Sequence, residues 1–142
     1  MTVTINRPPE DVFAVLSDVR NVPLWSPNTI EERMLTDGPM GVGSRRVAVI
    51  KGFAGRTTAN EAEMVGFEPN RRMVVKSVRS PVPFRITIDF EPVDGDTRLR
   101  WTADIRPGGV LRPTGPLMAA LYRRVFRRDL RRLRDLMNAG EL

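Results

Sequence analysis

The chain has 142 residues, of which 41% are hydrophobic and 28% charged, and its formal net charge is +6. This length suits a single domain over residues 1–142 with one hydrophobic core, and the apolar content argues against disorder. The sequence contains neither Cys nor His, which excludes disulfides, thiolate nucleophiles, zinc–sulfur sites and the Ser-His-Asp triad.

The N-terminal segment carries no apolar stretch of signal-peptide length. Elsewhere no run approaches the ~18 apolar residues of a membrane span. We therefore expect a cytoplasmic protein.

The first predicted elements are a short strand and two short helices. Val3 and Ile5 alternate with polar residues over 2–6, which predicts a strand. Pro8 and Pro9, followed by two acidic residues, favour the start of a helix. Residues 21–27 are broken by prolines and predict one further helical turn.

Residues 29–106 have the period-two pattern of short strands separated by turn residues. Strands joined by connections of turn length predict an antiparallel meander. The six predicted strands are 29–36, 44–52, 56–66, 72–79, 83–92 and 97–106.

The last two predicted strands have one apolar, aromatic face and one charged face. The apolar face comprises Phe84, Ile86, Ile88, Phe90, Thr97, Leu99, Trp101, Ala103 and Ile105. In 56–66, outward-facing Glu61 and Glu63 leave an inward set of Thr58, Asn60, Ala62 and Met64. In 44–52 two phases stay open, and the inward set is either Val47 and Val49 or Arg46, Ala48 and Ile50.

A segment rich in glycine and proline, 106–116, precedes one long predicted helix over 117–139. At about 100° per residue, its apolar arc holds Met118, Leu121, Tyr122, Val125, Phe126, Leu133, Leu136 and Met137, and arginines occupy the other side. Asp129 falls near the middle of the apolar arc, with Arg132 beside it. A carboxylate there must be paired, hydrated or neutralised. It either pairs with an inward arginine or lies close to a wet opening, or else it is a polar group inside a ligand cavity.

This order of a strand, a helix pair, a six-stranded meander and a long C-terminal helix resembles the polyketide cyclase/dehydrase-like branch of the START/Bet v 1-like (SRPBCC) superfamily. The resemblance spans nearly the whole chain. It is carried by residues 5–18, Asn21-Val-Pro-Leu-Trp25, Gly41-Val-Gly-Ser44, and residues 67–73, 95–98 and 129–133.

The resemblance implies an α+β helix-grip fold, in which a curved antiparallel sheet wraps around the C-terminal helix and two short helices follow the first strand. It also implies a cavity between sheet and helix, lined by the inward faces named above. Members of the superfamily include aromatase/cyclases, lipid and hormone carriers, quinone-binding proteins and chaperone activators. The fold alone therefore leaves the reaction open, and an apolar or aromatic small molecule is the expected ligand.

The candidate ligand-binding residues are those predicted to face this cavity or its mouth. They are Arg46, Phe53, Asn60, Met64, Phe84, Ile86, Ile88, Trp101, Ala103, Met118, Tyr122, Val125, Phe126 and Asp129. Phe53, on a glycine-flanked turn, is a candidate lid, and 106–116 is a second candidate gate. Trp25 is interpreted as packing the helical turn against the sheet.

Without His or Cys, acid–base catalysis would rest on Tyr122 and Asp129, about two helical turns apart. Asn60 and Arg46 could join them to bind a carbonyl or stabilise an enolate. An inward arginine beside a carboxylate is equally a structural ion pair. No metal and no cofactor is expected.

We expect the protein to bind a hydrophobic or aromatic molecule, lipid-, polyketide- or quinone-like. The alternatives are a polyketide cyclase, aromatase or dehydratase, and a protein-interaction module. The arginine side of the long helix is interpreted as a solvated face, which argues against nucleic acid and against stable membrane insertion. Formation of a homo-oligomer is left open.

Overall fold

Seven strands form one antiparallel sheet in the computed structural model, which describes residues 1–142 except for the side chains of Phe53, Val110 and Leu111. In chain order the strands are β1 (Thr2–Ile5), β2 (Thr29–Met34), β3 (Arg45–Lys51), β4 (Thr57–Glu68), β5 (Arg72–Arg79), β6 (Phe84–Val93) and β7 (Asp96–Ile105). Their order across the sheet is β1-β7-β6-β5-β4-β3-β2. The predicted meander is confirmed, and β1 adds a strand beside β7.

Three helices pack with the sheet, α1 (Pro9–Ser17), α2 (Val22–Trp25) and α3 (Gly115–Asn138), and short 3₁₀ turns occur at Val19–Asn21, Phe53–Gly55 and Gly109–Thr114. The start of α1 follows from its sequence, because proline occupies its first turn together with two acidic side chains. The elements and their order match the α+β helix-grip fold expected from the resemblance. None of the described helices combines the length and apolarity needed to cross a bilayer.

The phase of β3, which the sequence left open, is the one that points Arg46, Ala48 and Ile50 towards the interior. Arg46 pairs with Ala62 of β4, and Ala48 pairs with Asn60. Polar and apolar side chains therefore share the inner face of this edge of the sheet.

A register shift between Met64 and Gly66 interrupts the alternation of β4. Met64 is buried, and Phe67, three residues later, also packs against the core. A Cβ atom at Gly66 would lie 2.9 Å from Cγ2 of Val74. The two strands thus approach each other too closely there for a larger residue.

The packed core lies beneath α1 and the second half of α3. The ring of Phe13 in α1 lies 5.2 Å from that of Phe67 and 5.1 Å from that of Phe90. The buried side chains of α3 are Asp129, Leu130, Leu133 and Met137.

The prediction that Leu121 lies on the inward arc of the helix is wrong, because its side chain is 55% exposed. Leu133 lies at the centre of the packed face. At about 100° per residue, Leu121 lies about 120° away from it around the helix. The first half of α3 buries no side chain completely.

Candidate functional site

A cavity of about 150 Å³ lies between the inner face of the sheet, α2 and α3. We call it the inner cavity. Most of its wall is apolar, and six polar or charged residues interrupt it. The lining consists of Leu16, Val22, Trp25, Ser26, Thr29, Glu32, Arg46, Ala48, Ile50, Asn60, Ala62, Met73, Val75, Phe84, Ile86, Ile88, Trp101, Phe126 and Asp129.

A second pocket of about 360 Å³, the outer pocket, lies between β7 and the first half of α3. Its lining consists of Met1, Trp101, Thr102, Ala103, Ile105, Ala119, Tyr122, Arg123, Phe126 and Arg127. Trp101 and Phe126 line both spaces, and their ring centroids are 5.6 Å apart. This ring pair is therefore the wall that the two pockets share.

The shared wall belongs to a row of four aromatic rings. Trp25 meets Trp101 edge-on at 6.1 Å, and Phe126 lies 6.0 Å from Tyr122 on the outer side. Such offset and edge-on contacts stabilise aromatic pairs beyond their buried area. Trp25 thus packs as the sequence indicated, but it also lines the inner cavity.

Asp129 projects from α3 to the cavity wall and is only 2% exposed. The Ser26 hydroxyl donates a hydrogen bond to its Oδ2 at 2.7 Å, and the guanidinium of Arg128 donates to its Oδ1 at 2.7 Å and 3.0 Å. Arg132, which the sequence placed beside this carboxylate, instead donates to the carbonyl oxygen of Leu24 at 2.7 Å. Asp129 is therefore a paired, buried carboxylate that also lines the inner cavity.

Glu32 on β2 supplies a second carboxyl group, with a side chain only 6% exposed. It pairs across the sheet with Ala48, and Nε of Arg46 lies 3.0 Å from its Oε1. Burial raises the pKa of Glu32, and the nearby charge of Arg46 opposes that rise.

Sequence reasoning did not single out Glu32. An acid in a strand is ordinarily assigned to the solvent face, and a register shift between Thr29 and Glu31 breaks the alternation just before it. Thr29 is buried and Ile30 is 54% exposed, which is the reverse of what the hydrophobicity of the two residues predicts. The sequence does place Glu32 two positions before the apolar Met34, and residues two apart in a strand lie on the same face.

Asn60 faces the inner cavity as predicted, but its amide is already bonded within the protein. Ser80 donates a hydrogen bond to Oδ1 at 2.6 Å, and Nδ2 donates to Thr58 at 3.2 Å. The bond from Ser80 holds the start of β4 against the turn that contains Ser80.

The structure brings eight of the candidate site residues together in the inner cavity, namely Arg46, Asn60, Phe84, Ile86, Ile88, Trp101, Phe126 and Asp129. Ala103 and Tyr122 line the outer pocket instead. Met64 is buried in the core, and Met118 and Val125 are partly buried on α3 but line neither pocket. The side chain of Phe53 lies outside those described.

The two candidate catalytic groups therefore line different pockets. Phe126 lies between the outer pocket of Tyr122 and the inner cavity of Asp129. Burial raises the pKa of the Tyr122 hydroxyl. Among the residues that the structure describes, no three acidic side chains group closely enough to hold a metal ion.

Comparison with known proteins relates this architecture to one family. The family model described as polyketide cyclase/dehydrase and lipid transport matches residues 1–138. No curated protein sequence matches the chain significantly.

Several solved structures share the fold at low sequence identity. A START superfamily protein from Mycobacterium smegmatis is similar at 14% identity and a TM-score of 0.83, over 98% of this chain and 95% of that one. The Zhui aromatase/cyclase from Streptomyces sp. R1128 is similar at 18% identity and a TM-score of 0.79, over 96% and 90%. A protein from Thermus thermophilus is similar at 17% identity and a TM-score of 0.78, over 100% and 97%.

Proposed function

Because the chain belongs to the polyketide cyclase/dehydrase and lipid transport family, we propose that it binds a hydrophobic or aromatic small molecule in the inner cavity. The observation that carries this proposal is the cavity itself, about 150 Å³ between the sheet and α3. Ligand sites in proteins are typically concave and apolar, with a few placed polar groups. Asp129 and Glu32 are such groups here.

Calorimetric titration with 4-ethyltoluene, an apolar single-ring probe, tests the proposal, alongside native mass spectrometry of the protein as purified. Ala48→Phe on β3 fills the cavity and is expected to weaken binding by at least about tenfold, which corresponds to the loss of about 1.4 kcal/mol. The matched control is Val47→Phe, because the side chain of residue 47 lies on the opposite face of the same strand. This variant should bind the probe as the unmodified protein does.

Two results would contradict the proposal. One is failure of the unmodified protein to bind the probe together with the absence of any copurified small molecule. The other is equal weakening by the two phenylalanine substitutions, since that would show that binding does not depend on the inner cavity.

The second candidate function is catalysis by a polyketide cyclase or dehydratase, and buried Asp129 at the cavity wall favours it. The Zhui neighbour is an aromatase/cyclase, but at its sequence identity it supports only the fold. If the protein is an enzyme, Asp129→Asn should abolish turnover of a short poly-β-ketone and still allow the substrate to bind. Tyr122→Phe should reduce turnover less, because Tyr122 lies beyond Phe126. A carrier would give no turnover with either the variants or the unmodified protein.

A protein-interaction module is the third candidate. It would need no internal space, so the inner cavity is an argument against it.

A further inference from the structure

Two arginines of α3 differ from their neighbours because they line a pocket. Arg123 and Arg127 belong to the wall of the outer pocket, whereas Arg124 and Arg131 line neither of the two pockets. Arg123 and Arg127 are four residues apart on α3, and residues at that spacing are neighbours on one face of a helix. We call these two residues the arginine pair. The outer pocket therefore has two adjacent positive charges in its wall.

The charge of the arginine pair is not neutralised by the described residues. Neither member forms an ion pair or a side-chain hydrogen bond with the part of the chain that the structure describes, and the residues that line the outer pocket include no acid. By contrast, Arg128 pairs with Asp129 and Arg134 pairs with Asp135 on the same helix. Like charges four residues apart repel each other, so an anion bound by both guanidinium groups would relieve that repulsion.

The rest of the outer pocket is largely apolar and aromatic. The end of β7 and the facing turns of α3 supply Trp101, Ala103, Ile105, Tyr122 and Phe126. The rings of Trp101 and Phe126, 5.6 Å apart, form the wall shared with the inner cavity. Apolar surface beside two uncompensated cations suits a ligand with an apolar body and one anionic group.

The volume and the type of cation narrow this class of ligand. About 360 Å³ lies within the range of about 300–1,000 Å³ that is typical of small-molecule sites, and it exceeds the volume of the inner cavity. A guanidinium is planar, and two of its N–H groups can donate in parallel to the two oxygens of a carboxylate. A benzene ring that carries one carboxylate therefore matches both the space and the charge.

We propose that the outer pocket binds an aromatic carboxylate, with the arginine pair bonded to the carboxylate and the rings of Trp101 and Phe126 in contact with the aromatic ring. This goes beyond the proposed function, because it assigns a second class of ligand to a second pocket. It does not require the inner cavity to be occupied. The guanidinium groups donate hydrogen bonds, and the carboxylate oxygens accept them.

NMR titration of the unmodified protein at about 0.15 M salt, with three probes, tests the proposal. 4-Ethylbenzoate carries a ring and a carboxylate, 4-ethylbenzamide replaces the carboxylate by a neutral amide of similar shape, and acetate lacks the ring. 4-Ethylbenzoate is expected to bind at least about fivefold more tightly than either of the others. The reason is that charge-assisted hydrogen bonds are stronger than neutral ones, and burial of the ring adds to them. It should shift the backbone amide signals of residues 101–105 and 119–127.

Two double variants of equal charge assign the preference to its residues. Arg123→Met with Arg127→Met removes the arginine pair and should reduce the preference for 4-ethylbenzoate over 4-ethylbenzamide to less than about twofold. Arg124→Met with Arg131→Met is the matched control, because it removes two positive charges from the same helix outside the pocket. The control should preserve the preference. All four side chains are exposed, so both double variants are expected to fold.

Each contrary outcome is distinct. Equal affinity of the unmodified protein for 4-ethylbenzoate and 4-ethylbenzamide would overturn the proposal, and so would acetate binding as tightly as 4-ethylbenzoate. Equal weakening by the two double variants would show that net charge attracts the ligand, and would also overturn it. Signal shifts that centre on residues 45–51 of β3 would place the probe in the inner cavity, which would overturn this proposal and support the proposed function. Failure of 4-ethyltoluene to bind the inner cavity would leave this proposal intact.

Discussion

At the scale of single residues, the inner cavity contains two carboxyl groups in different surroundings. Asp129 accepts hydrogen bonds from Ser26 and Arg128. Oε1 of Glu32 accepts no hydrogen bond from the side chains that the structure describes, although Nε of Arg46 lies 3.0 Å away. Burial of a carboxyl group favours its neutral form, and it raises the pKa of Glu32.

Glu32→Gln is expected to change the pH dependence of stability. The ordinary pKa of 4.5 is raised in the folded protein, so the folded state binds this proton more tightly than the unfolded chain does. The stabilising contribution is fully present below the unfolded-state pKa and is lost as pH rises through the folded-state value. As the pH rises from about 4 to about 7, the free energy of unfolding of the unmodified protein should therefore fall relative to that of Glu32→Gln.

Denaturant unfolding of both proteins at the two pH values measures this difference in the free energy of unfolding. Glu31→Gln serves as the control, because the Glu31 side chain is exposed on the same strand. A relative loss of stability by the unmodified protein at the acidic end would contradict the argument.

At the scale of elements, α3 is a helix with two unequal halves. Its second half buries Asp129, Leu130, Leu133 and Met137, whereas no side chain of its first half is buried. Leu117 is 72% exposed in that first half. Packing of an apolar face supplies most of the stability of a helix in a protein, so the first half is held less firmly over the pockets.

The rate of native-state hydrogen exchange should therefore differ between the two halves of α3. Backbone amides of residues 130–137 are expected to exchange at least about tenfold more slowly than those of residues 119–126, because local opening needs less free energy where few apolar contacts are lost. Amide-resolved exchange measured by NMR checks this. Equal protection along the helix would show that the pockets do not weaken its first half.

At the scale of the whole molecule, the net charge of +6 is unevenly distributed. The arginines of α3 outnumber its acidic residues, and Asp129 and Asp135 are already paired with Arg128 and Arg134. Among the described side chains, Arg123, Arg124, Arg127 and Arg131 form no ion pair. A dispersed positive face of this kind attracts polyanions weakly and without a specific site.

The protein is expected to bind DNA or anionic vesicles only at low ionic strength. At about 0.15 M salt the Debye length is about 8 Å, which screens exposed charges from a surface that they do not contact closely. Elution from a DNA column and flotation with anionic vesicles, both measured across a salt series, test this. Retention near physiological salt would instead indicate that the arginine face is an interaction surface.

The sequence by itself determined much of the architecture, because alternation and helical periodicity depend only on local geometry. Phe84, Ile86 and Ile88 could be assigned to the inner face of β6 from their spacing alone. Asp129 could be placed on the inward side of α3 for the same reason. These predictions required no knowledge of which strands are neighbours.

The tertiary structure alone decided the rest of the cavity wall and which of the predicted residues share one pocket. A register shift turns Glu32 inward beside Arg46, and this depends on the pairing of β2 with β3. Phe126 separates Tyr122 from Asp129, although helical spacing places both on one arc. Bulges, cross-strand pairs and cavities arise from contacts between residues far apart in the chain, and a pattern confined to neighbouring residues carries no information about them.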